Sequence, residues 1–179
     1  MLKIGIIVGS TRPGRKAGAV AEWLYEILKS RKDAEFEIVD IAEYNLPLLD
    51  EPVPPTLNQY TKAHTKNWSA KIASLDAFIF VTPEYNHGTS AALKNAIDFL
   101  FYEWNNKAAG FVSYGGAGGV RAVENLRLVM ERSRSLTFER RSPCRSSQTS
   151  RTSRFLSLTR SMTRPCMQWQ HFTEVRAPR

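Results

Sequence analysis

The chain has 179 residues, of which 42% are hydrophobic, 23% charged and 11% aromatic, a composition typical of one globular domain. The sequence contains no apolar run near the roughly 20 residues that span a bilayer, and no signal-peptide cleavage site follows the apolar residues 1–9. Two cysteines cannot form a disulfide framework, which favours a reducing compartment. We therefore expect a cytoplasmic protein with no membrane partner, and we exclude the fibrous and disulfide-rich classes.

The charge of the chain divides it into two segments. Residues 1–130 hold 14 Lys+Arg and 14 Asp+Glu, whereas residues 131–179 hold 11 Arg, no Lys and 3 Glu, so the whole net charge of +8 lies in the second segment. None of the ten glycines is in that segment, and both cysteines are. We predict an α/β domain over 1–132 and a chemically different, Arg/Ser-rich segment over 133–179.

The first segment alternates strand and helix patterns. The apolar residues 2–8 predict a strand buried on both faces, and the apolar positions from Val20 to Leu28 predict a helix over about 18–29. Further strands are predicted at 36–40, 77–81 and 108–114, helices at about 57–74, 92–100 and 120–130, and an irregular Pro-rich connection at 45–55. This alternation implies an open parallel sheet with right-handed crossovers, whose ligands bind outside the carboxyl ends of the strands.

The loop after the first strand, residues 9–16, has the composition of a phosphate site. It offers two hydroxyls and three cations before the N-terminus of a helix, where backbone amides and the helix dipole favour an anion. Neither the dinucleotide fingerprint nor the P-loop ending is present, which favours a single terminal phosphate. The alternative is a polar turn with solvated cations.

Two further loops lie at the same predicted edge. Residues 82–90 contain a proline, an aromatic residue and an amide side chain, which can stack on a flat ring and bond to its polar edge; the alternative is a turn with Ser90 as helix cap and His87 as an ordinary loop histidine. Residues 115–119 include four glycines, which let backbone approach a ligand closely; the alternative is a flexible connector.

The blocks GSTRPGRKAGAVAEW, TPEYNHGTSAALKNAIDFL and SYGGAGGVRAVENLR follow the first, third and fourth predicted strands. In this order they resemble the NADPH-dependent FMN reductase family, which includes quinone, azo-dye and chromate reductases. The resemblance covers residues 1–132. It implies a flavodoxin-like fold with strand order 2-1-3-4-5, and an enzyme that passes a hydride from NADPH or NADH to bound FMN. Electrons would then pass to a quinone, free flavin, azo dye or metal oxyanion.

The resemblance also implies the residues that bind the cofactor. The FMN phosphate would be held by Ser10, Arg12 and the backbone around Lys16, Ala17 and Gly18, with help from Thr11. The isoalloxazine ring would lie along Pro83, Glu84, Tyr85 and Asn86, and Ser113, Gly115 and Gly116 would close its other side.

The same family chemistry requires no catalytic side chain, because the cofactor carries the reaction. We expect no metal site, since the three histidines and two cysteines lack ligand spacing. Arg15 is a candidate contact for the phosphate of the nicotinamide cofactor. Relatives are commonly dimers or tetramers, so we expect a homodimer or homotetramer; residues 45–55 form either its interface or a surface loop.

Two other functions stay open: an FMN-binding electron carrier without NAD(P)H activity, and nucleic-acid binding through the basic segment. Residues 133–179 show no convincing fifth strand or closing helix, apart from short apolar runs at 136–138 and 155–158. They are a nucleic-acid-binding tail, a divergent α/β ending, or the product of a reading-frame shift near residue 131. We favour the shift, because text rich in Arg, Ser, Thr and Pro is typical of GC-rich DNA read out of frame, and we expect a frameshifted or disordered segment.

Overall fold

A computed structural model describes residues 1–132, 136–137 and 166–167 of the chain. Four seven-residue strands form a parallel sheet in the order β2-β1-β3-β4. They are β1 (Leu2–Val8), β2 (Ala34–Asp40), β3 (Ala77–Pro83) and β4 (Ala108–Tyr114). Every residue of β3 is buried, which explains its continuous apolar sequence. The predicted open α/β sheet is confirmed.

Helices cover both faces of this sheet. They are α1 (Ala17–Leu28), α2 (Ala63–Ala73), α3 (Ala91–Asp98) and α4 (Val120–Arg132), with 3-10 helices at Ile41–Tyr44, Pro55–Leu57 and Tyr102–Trp104. The apolar side of α1 packs on one face around Leu24, and α2, α3 and α4 pack on the other around Trp68 and Trp104. In the described ranges, no helix is both long and apolar enough to cross a bilayer.

The outer edge of β4 carries two short pairings. Leu136–Thr137 (β5) pairs in parallel with Ala108 and Ala109, and Cys166–Met167 (β6) pairs antiparallel with Val112 and Ser113. A full-length fifth strand is therefore not found among the residues that the structure describes. The rest of 133–179, including the apolar run at 155–158, lies outside those residues, so the predicted boundary at 132 stays a prediction.

The helix expected over about 57–74 begins later than its sequence pattern indicates. Helix α2 starts at Ala63, and the preceding residues form a 3-10 turn followed by Asn58 in the left-handed region at φ 53°. The Glu51 carboxylate accepts hydrogen bonds from the backbone N–H groups of Thr61 and Lys62 at 2.9–3.1 Å. These contacts hold the chain out of helical geometry until Ala63, which is why the prediction of residue 57 as the start is wrong.

Replacing Glu51 by glutamine is expected to make the stability of the protein less sensitive to acid. Burial acts to raise the pKa of Glu51, but the hydrogen bonds from Lys62 and Thr61 outweigh it and lower the pKa to about 2. A lowered pKa stabilises the fold above the ordinary carboxyl pKa, and that contribution is lost as pH falls towards about 2.

The free energy of unfolding is measured by urea titration from pH 7 to pH 3. At pH 7 it should be lower for Glu51→Gln than for the wild type, and this difference should become smaller at acid pH. Glu35→Gln, at an exposed position of β2, is the control. A gap that stays constant with pH would contradict the expectation.

Candidate functional site

Three loops meet at the carboxyl edge of the sheet: loop A (residues 9–16), loop B (84–90) and loop C (115–119). Each follows one strand, β1, β3 or β4, and parallel strands end at the same edge. The Ser90 hydroxyl ties loops A and B together, because it donates to the carbonyl of Gly9 at 2.5 Å. It also accepts from the N–H of Leu93 at 3.1 Å, so Ser90 is the cap of α3 that the sequence predicted as an alternative.

Loop A leads into a helix N-terminus that no side chain caps. Its turn closes where the N–H of Arg15 donates to the carbonyl of Arg12 at 3.0 Å, and Gly14 adopts φ 69°. Lys16 is the N-cap residue of α1, and its side chain makes no capping hydrogen bond. A Cβ at Gly18 would meet nothing within 4 Å. The first amides of α1 therefore receive no side-chain cap, which is the arrangement that binds anions.

The hydroxyl of Ser10 is buried and has no hydrogen-bond partner among the described residues. Ser10 is 1% exposed, so bulk solvent does not reach the hydroxyl. A buried hydroxyl without a partner lowers the free energy of unfolding by about 1–3 kcal/mol, unless a ligand supplies the missing hydrogen bond. Together with the amides of α1, this hydroxyl fits an anionic group with several acceptor oxygens, such as a monophosphate.

Arg12, Tyr85 and Tyr114 connect all three loops. The guanidinium carbon of Arg12 lies 5.8 Å from the centroid of the Tyr85 ring, within the range of a cation–π contact. Burial, and then the nearby Tyr85, raise the pKa of Tyr114 to about 12, while the charges of Arg12 and Arg15 act in the opposite direction. Tyr114 is the last residue of β4, so loops A and B both approach the start of loop C.

Loop B forms a tight turn around two exposed polar residues. The N–H groups of Tyr85 and Gly88 each donate to the other's carbonyl at 2.9 Å. Between them, Asn86 and His87 adopt φ of 48° and 66°, a left-handed conformation that is uncommon for residues other than glycine. Pro83 is buried at the end of β3, so it forms the base of the turn. The turn directs Asn86 and His87 outward.

Glu84 is placed differently from its neighbours in loop B. Its N–H donates to the carbonyl of Tyr114 at 3.0 Å, and its side chain, only 8% exposed, pairs with the guanidinium of Arg121 at 2.6 Å. Burial acts to raise the pKa of Glu84, but the hydrogen bonds from Arg121 outweigh it, so the pKa lies below its usual range. The Glu84 carboxylate is thus committed to the start of α4.

Loop C is folded tightly on itself. The Ser113 hydroxyl donates to the carbonyl of Gly118 at 2.8 Å, and Gly119 adopts φ 75°. A Cβ at Gly115 would lie 3.2 Å from the Cβ of Glu84, so loops B and C are in contact there. Gly116 is exposed and would accept a Cβ without contact, which leaves its backbone open to a ligand.

A cavity of about 420 Å³ opens beside loop A. Its lining carries no ionisable side chain and consists of Thr11, Ile41, Ala42, Asn45, Leu46, Ala92, Asn95 and Ala96. The Asn95 side chain fixes one wall, because it donates to the carbonyl of Pro47 at 2.7 Å and accepts from the N–H of Leu49 at 3.0 Å. The cavity is therefore an uncharged compartment next to the candidate phosphate loop, with one wall held by Asn95.

The structure adds residues that the sequence patterns did not single out. Arg121 pairs with Glu84, and Asp40 at the end of β2 accepts from Arg15 at 2.5 Å. These pairs join residues far apart in sequence. The one local signal is that Arg121 stands two residues after the glycine run, at the start of the predicted helix. No group of three or more His, Cys, Asp or Glu side chains that could hold a metal ion occurs within the described part of the chain.

Comparison with known proteins identifies the family. The model for NADPH-dependent FMN reductase matches residues 2–143. The NAD(P)H-dependent FMN reductase ntnL of Nectria sp is 46% identical over 141 residues, which cover 73% of this chain and 70% of that protein. The NAD(P)H:quinone oxidoreductase of Solanum tuberosum is 34% identical over 140 residues, which cover 72% of this chain and 67% of that protein.

The fold agrees with these matches. The structure of the flavoenzyme NAD(P)H:(acceptor) oxidoreductase FerB from Paracoccus denitrificans superposes with a TM-score of 0.66 at 21% identity, covering 83% of this chain and 81% of that one. The family indicated by the three loop motifs is confirmed, and with it the FMN and NAD(P)H chemistry after which the family is named. The chain belongs to the NADPH-dependent FMN reductase family.

Proposed function

We propose that loops A, B and C bind FMN and that the chain is an NAD(P)H-dependent oxidoreductase that reduces a small acceptor. The observation that carries this proposal is the buried Ser10 hydroxyl, which has no hydrogen-bond partner within the described residues. The loop that carries Ser10 leads into a helix N-terminus that no side chain caps. The terminal phosphate of FMN supplies the acceptor oxygens that both features require.

The phosphate would be held mainly by loop A. Ser10 would donate its hydroxyl proton, Arg12 would neutralise charge, and the backbone from Lys16 to Gly18 would donate its N–H groups. Thr11 is an exposed residue of loop A and can add a hydroxyl. Arg15 is already paired with Asp40 at 2.5 Å, which makes it a weaker candidate for the phosphate of NADPH than an unpaired cation would be.

The isoalloxazine ring would lie between loops B and C. Pro83, Tyr85 and Asn86 would form one wall, with Glu84 acting through its position and not through its carboxylate. Ser113 would support the opposite wall from within, since its hydroxyl already bonds to Gly118. Gly116 would offer exposed backbone, and Gly115 half-buried backbone. The N–H of Asn86 makes no hydrogen bond within the described residues and is available to the polar edge of the ring.

Bound FMN supplies the redox chemistry, accepting a hydride from NAD(P)H and passing electrons onward. The protein's residues bind and orient, so no side chain is assigned as a catalytic acid or base. We propose a quinone, free flavin, azo dye or metal oxyanion as acceptor. The experiment that separates this enzyme from an FMN-binding electron carrier is turnover: a carrier binds FMN but does not oxidise NADPH in the presence of a quinone.

Large apolar side chains are exposed in the segment after β2. Leu48 is 83% exposed, and Leu49 and Leu57 are also exposed. Tyr102, exposed as well, joins this segment through its hydroxyl, which donates to the carbonyl of Thr56 at 3.0 Å. Exposed apolar side chains favour a protein contact. We therefore propose a homodimer or homotetramer that uses this surface, to be measured by light scattering, and a cytoplasmic location based on the cysteine content.

Adding FMN to the purified protein should give a yellow complex that bleaches when NADPH is added without oxygen. Replacing Arg12 by glutamine should weaken FMN binding about tenfold, because charge-assisted hydrogen bonds to a phosphate contribute roughly 1.5–3 kcal/mol. Binding is measured by quenching of FMN fluorescence. Arg31→Gln is the matched control, since Arg31 pairs with Asp33 on the surface.

Wild-type protein that does not quench FMN would refute the proposal, as would equal FMN affinity in the Arg12 and Arg31 variants. A complex that forms and stays yellow with NADPH would favour the electron carrier.

A further inference from the structure

Arg121 lies in the first turn of α4, outside the residues assigned above to the FMN site, and yet it contacts loop B at two points. Its Nε donates to Glu84 Oε1 at 2.7 Å, and its own backbone N–H donates to Glu84 Oε2 at 3.1 Å. Its Nη1 donates to His87 Nε2 at 2.8 Å. One side chain therefore holds the first half of loop B and the tip of its turn at once.

The contact with Glu84 is the strong one. The Glu84 side chain is nearly buried, and it accepts from both the guanidinium and the backbone of Arg121. Charge-assisted bonds of this forked kind fix direction as well as distance, and a buried carboxylate that lost its partner would be left unpaired. Arg121 therefore determines where the Glu84 side chain, and the backbone that carries it, can lie.

The contact with His87 adds a constraint on the turn. A guanidinium nitrogen can only donate, so Nε2 of His87 is the acceptor in this contact. His87 and Asn86 both have positive φ, a conformation that the surrounding structure must hold in place. Arg121 supplies one of those supports from a separate helix.

Both contacts bear on the two walls between which the flavin ring is proposed to lie. The N–H of Glu84 donates to the carbonyl of Tyr114. Gly115 is also close to Glu84, since a Cβ added at Gly115 would lie 3.2 Å from the Cβ of Glu84. A shift of Glu84 would thus move the start of loop C as well as loop B. We propose that Arg121 is a positioning residue of the enzyme, which sets the separation of the two walls through Glu84 and His87.

This role rests on the proposed function, since it concerns how tightly and in what orientation FMN is held. Lysine cannot replace arginine here, because an ammonium group does not present the planar fork that reaches Glu84 and His87 together. Arg121→Lys keeps the charge and most of the side-chain volume, so it tests geometry separately from charge. Glu84→Gln removes the charge of the partner and keeps its shape.

The test uses the full chain and three measurements: FMN affinity by fluorescence quenching, the visible circular dichroism of bound FMN, and the melting temperature without FMN. We expect Arg121→Lys to weaken FMN binding at least fivefold and to change the visible dichroism at matched saturation. Glu84→Gln should do the same, and the double variant should be little worse than either single one, because the two residues act as a unit. Arg132→Lys, at the exposed far end of α4, is the control and should leave both flavin readouts unchanged.

Each outcome has a definite meaning. Wild-type protein that fails to bind FMN overturns the proposed function and this role with it. Wild-type protein that binds FMN, with Arg121→Lys showing the same affinity and dichroism, overturns this role alone. A lower melting temperature with unchanged flavin readouts also overturns it, because Arg121 would then act on stability only. If Arg121→Lys does not fold, the same readouts of Glu84→Gln are compared with those of the wild type, and the same outcomes apply.

Discussion

Replacing Ser10 by alanine is expected to stabilise the FMN-free protein and to weaken its binding of FMN. The two effects have opposite signs because the same hydroxyl is a cost in one state and a contact in the other. Without a ligand it is buried and unpartnered within the described residues, and removing it relieves the unmade hydrogen bond. With FMN bound, it would donate to a phosphate oxygen, and alanine would lose that bond.

Both effects can be given a size. An unpartnered buried hydroxyl costs about 1–3 kcal/mol, and part of the gain is offset by the small space left behind, so we expect about 1 kcal/mol of stabilisation. That raises the melting temperature by about 2–4 °C for a domain of this size. Loss of one hydrogen bond to a charged phosphate should weaken FMN binding about tenfold, or about 1.4 kcal/mol.

Thermal melts with and without FMN, together with a fluorescence titration, measure both signs in one preparation. Ser113→Ala is the matched control, because the Ser113 hydroxyl is equally buried but donates to the Gly118 carbonyl at 2.8 Å. It should destabilise the FMN-free protein. Destabilisation by Ser10→Ala would show that the hydroxyl has a partner in the FMN-free protein. Unchanged FMN affinity would show that the hydroxyl does not bond to the phosphate.

The sheet and the three loops could be predicted because their signals are local. Runs of β-branched residues such as Leu2–Val8 identify buried strands, and the alternation with helices places the ends of β1, β3 and β4 at one edge. The family motifs lie in the loops at that edge. The contact between Arg12 and Tyr85, which the shared edge implies, is found in the structure.

Other features could not be predicted because they depend on side chains that meet only in the folded protein. The late start of α2 is determined by Glu51, ten residues from Thr61. Glu84 and Arg121 are 37 residues apart, and no helix or strand pattern in the sequence indicates that they pair. The unpartnered state of the Ser10 hydroxyl could not be predicted either. The sequence shows a serine in a polar loop, and only the folded structure shows that its hydroxyl is buried.

Replacing Gly119 by alanine is expected to be the most damaging single change at the site. Gly119 has φ 75°, where a side chain is strained, and an added Cβ would lie 2.6 Å from Ser113 Cβ and 2.9 Å from the N–H nitrogen of Tyr114. Neither neighbour can move freely, since Ser113 and Tyr114 belong to β4 and pair with β3. Strain and overcrowding each cost roughly 1–3 kcal/mol, so we expect a loss of about 3 kcal/mol or more in the free energy of unfolding.

Gly116→Ala is the matched control in the same loop. Gly116 is not at positive φ, and an added Cβ there meets nothing within 4 Å. Its free energy of unfolding in urea should equal the wild-type value or exceed it by up to about 1 kcal/mol, because alanine restricts the unfolded chain. Equal stability of the two variants without FMN would contradict the conformation of loop C.

The response to FMN separates damage to the site from damage to the fold. A ligand that binds only the folded protein adds about 2.7 kcal/mol at a free concentration of 100 times its Kd, so wild-type protein should gain that much from FMN. Gly119→Ala should gain much less at the same FMN concentration, because distortion of Ser113 and Tyr114 moves one wall of the site. If Gly119→Ala were destabilised and still gained as much as the wild type, loop C would contribute to folding without contributing to the binding of the flavin.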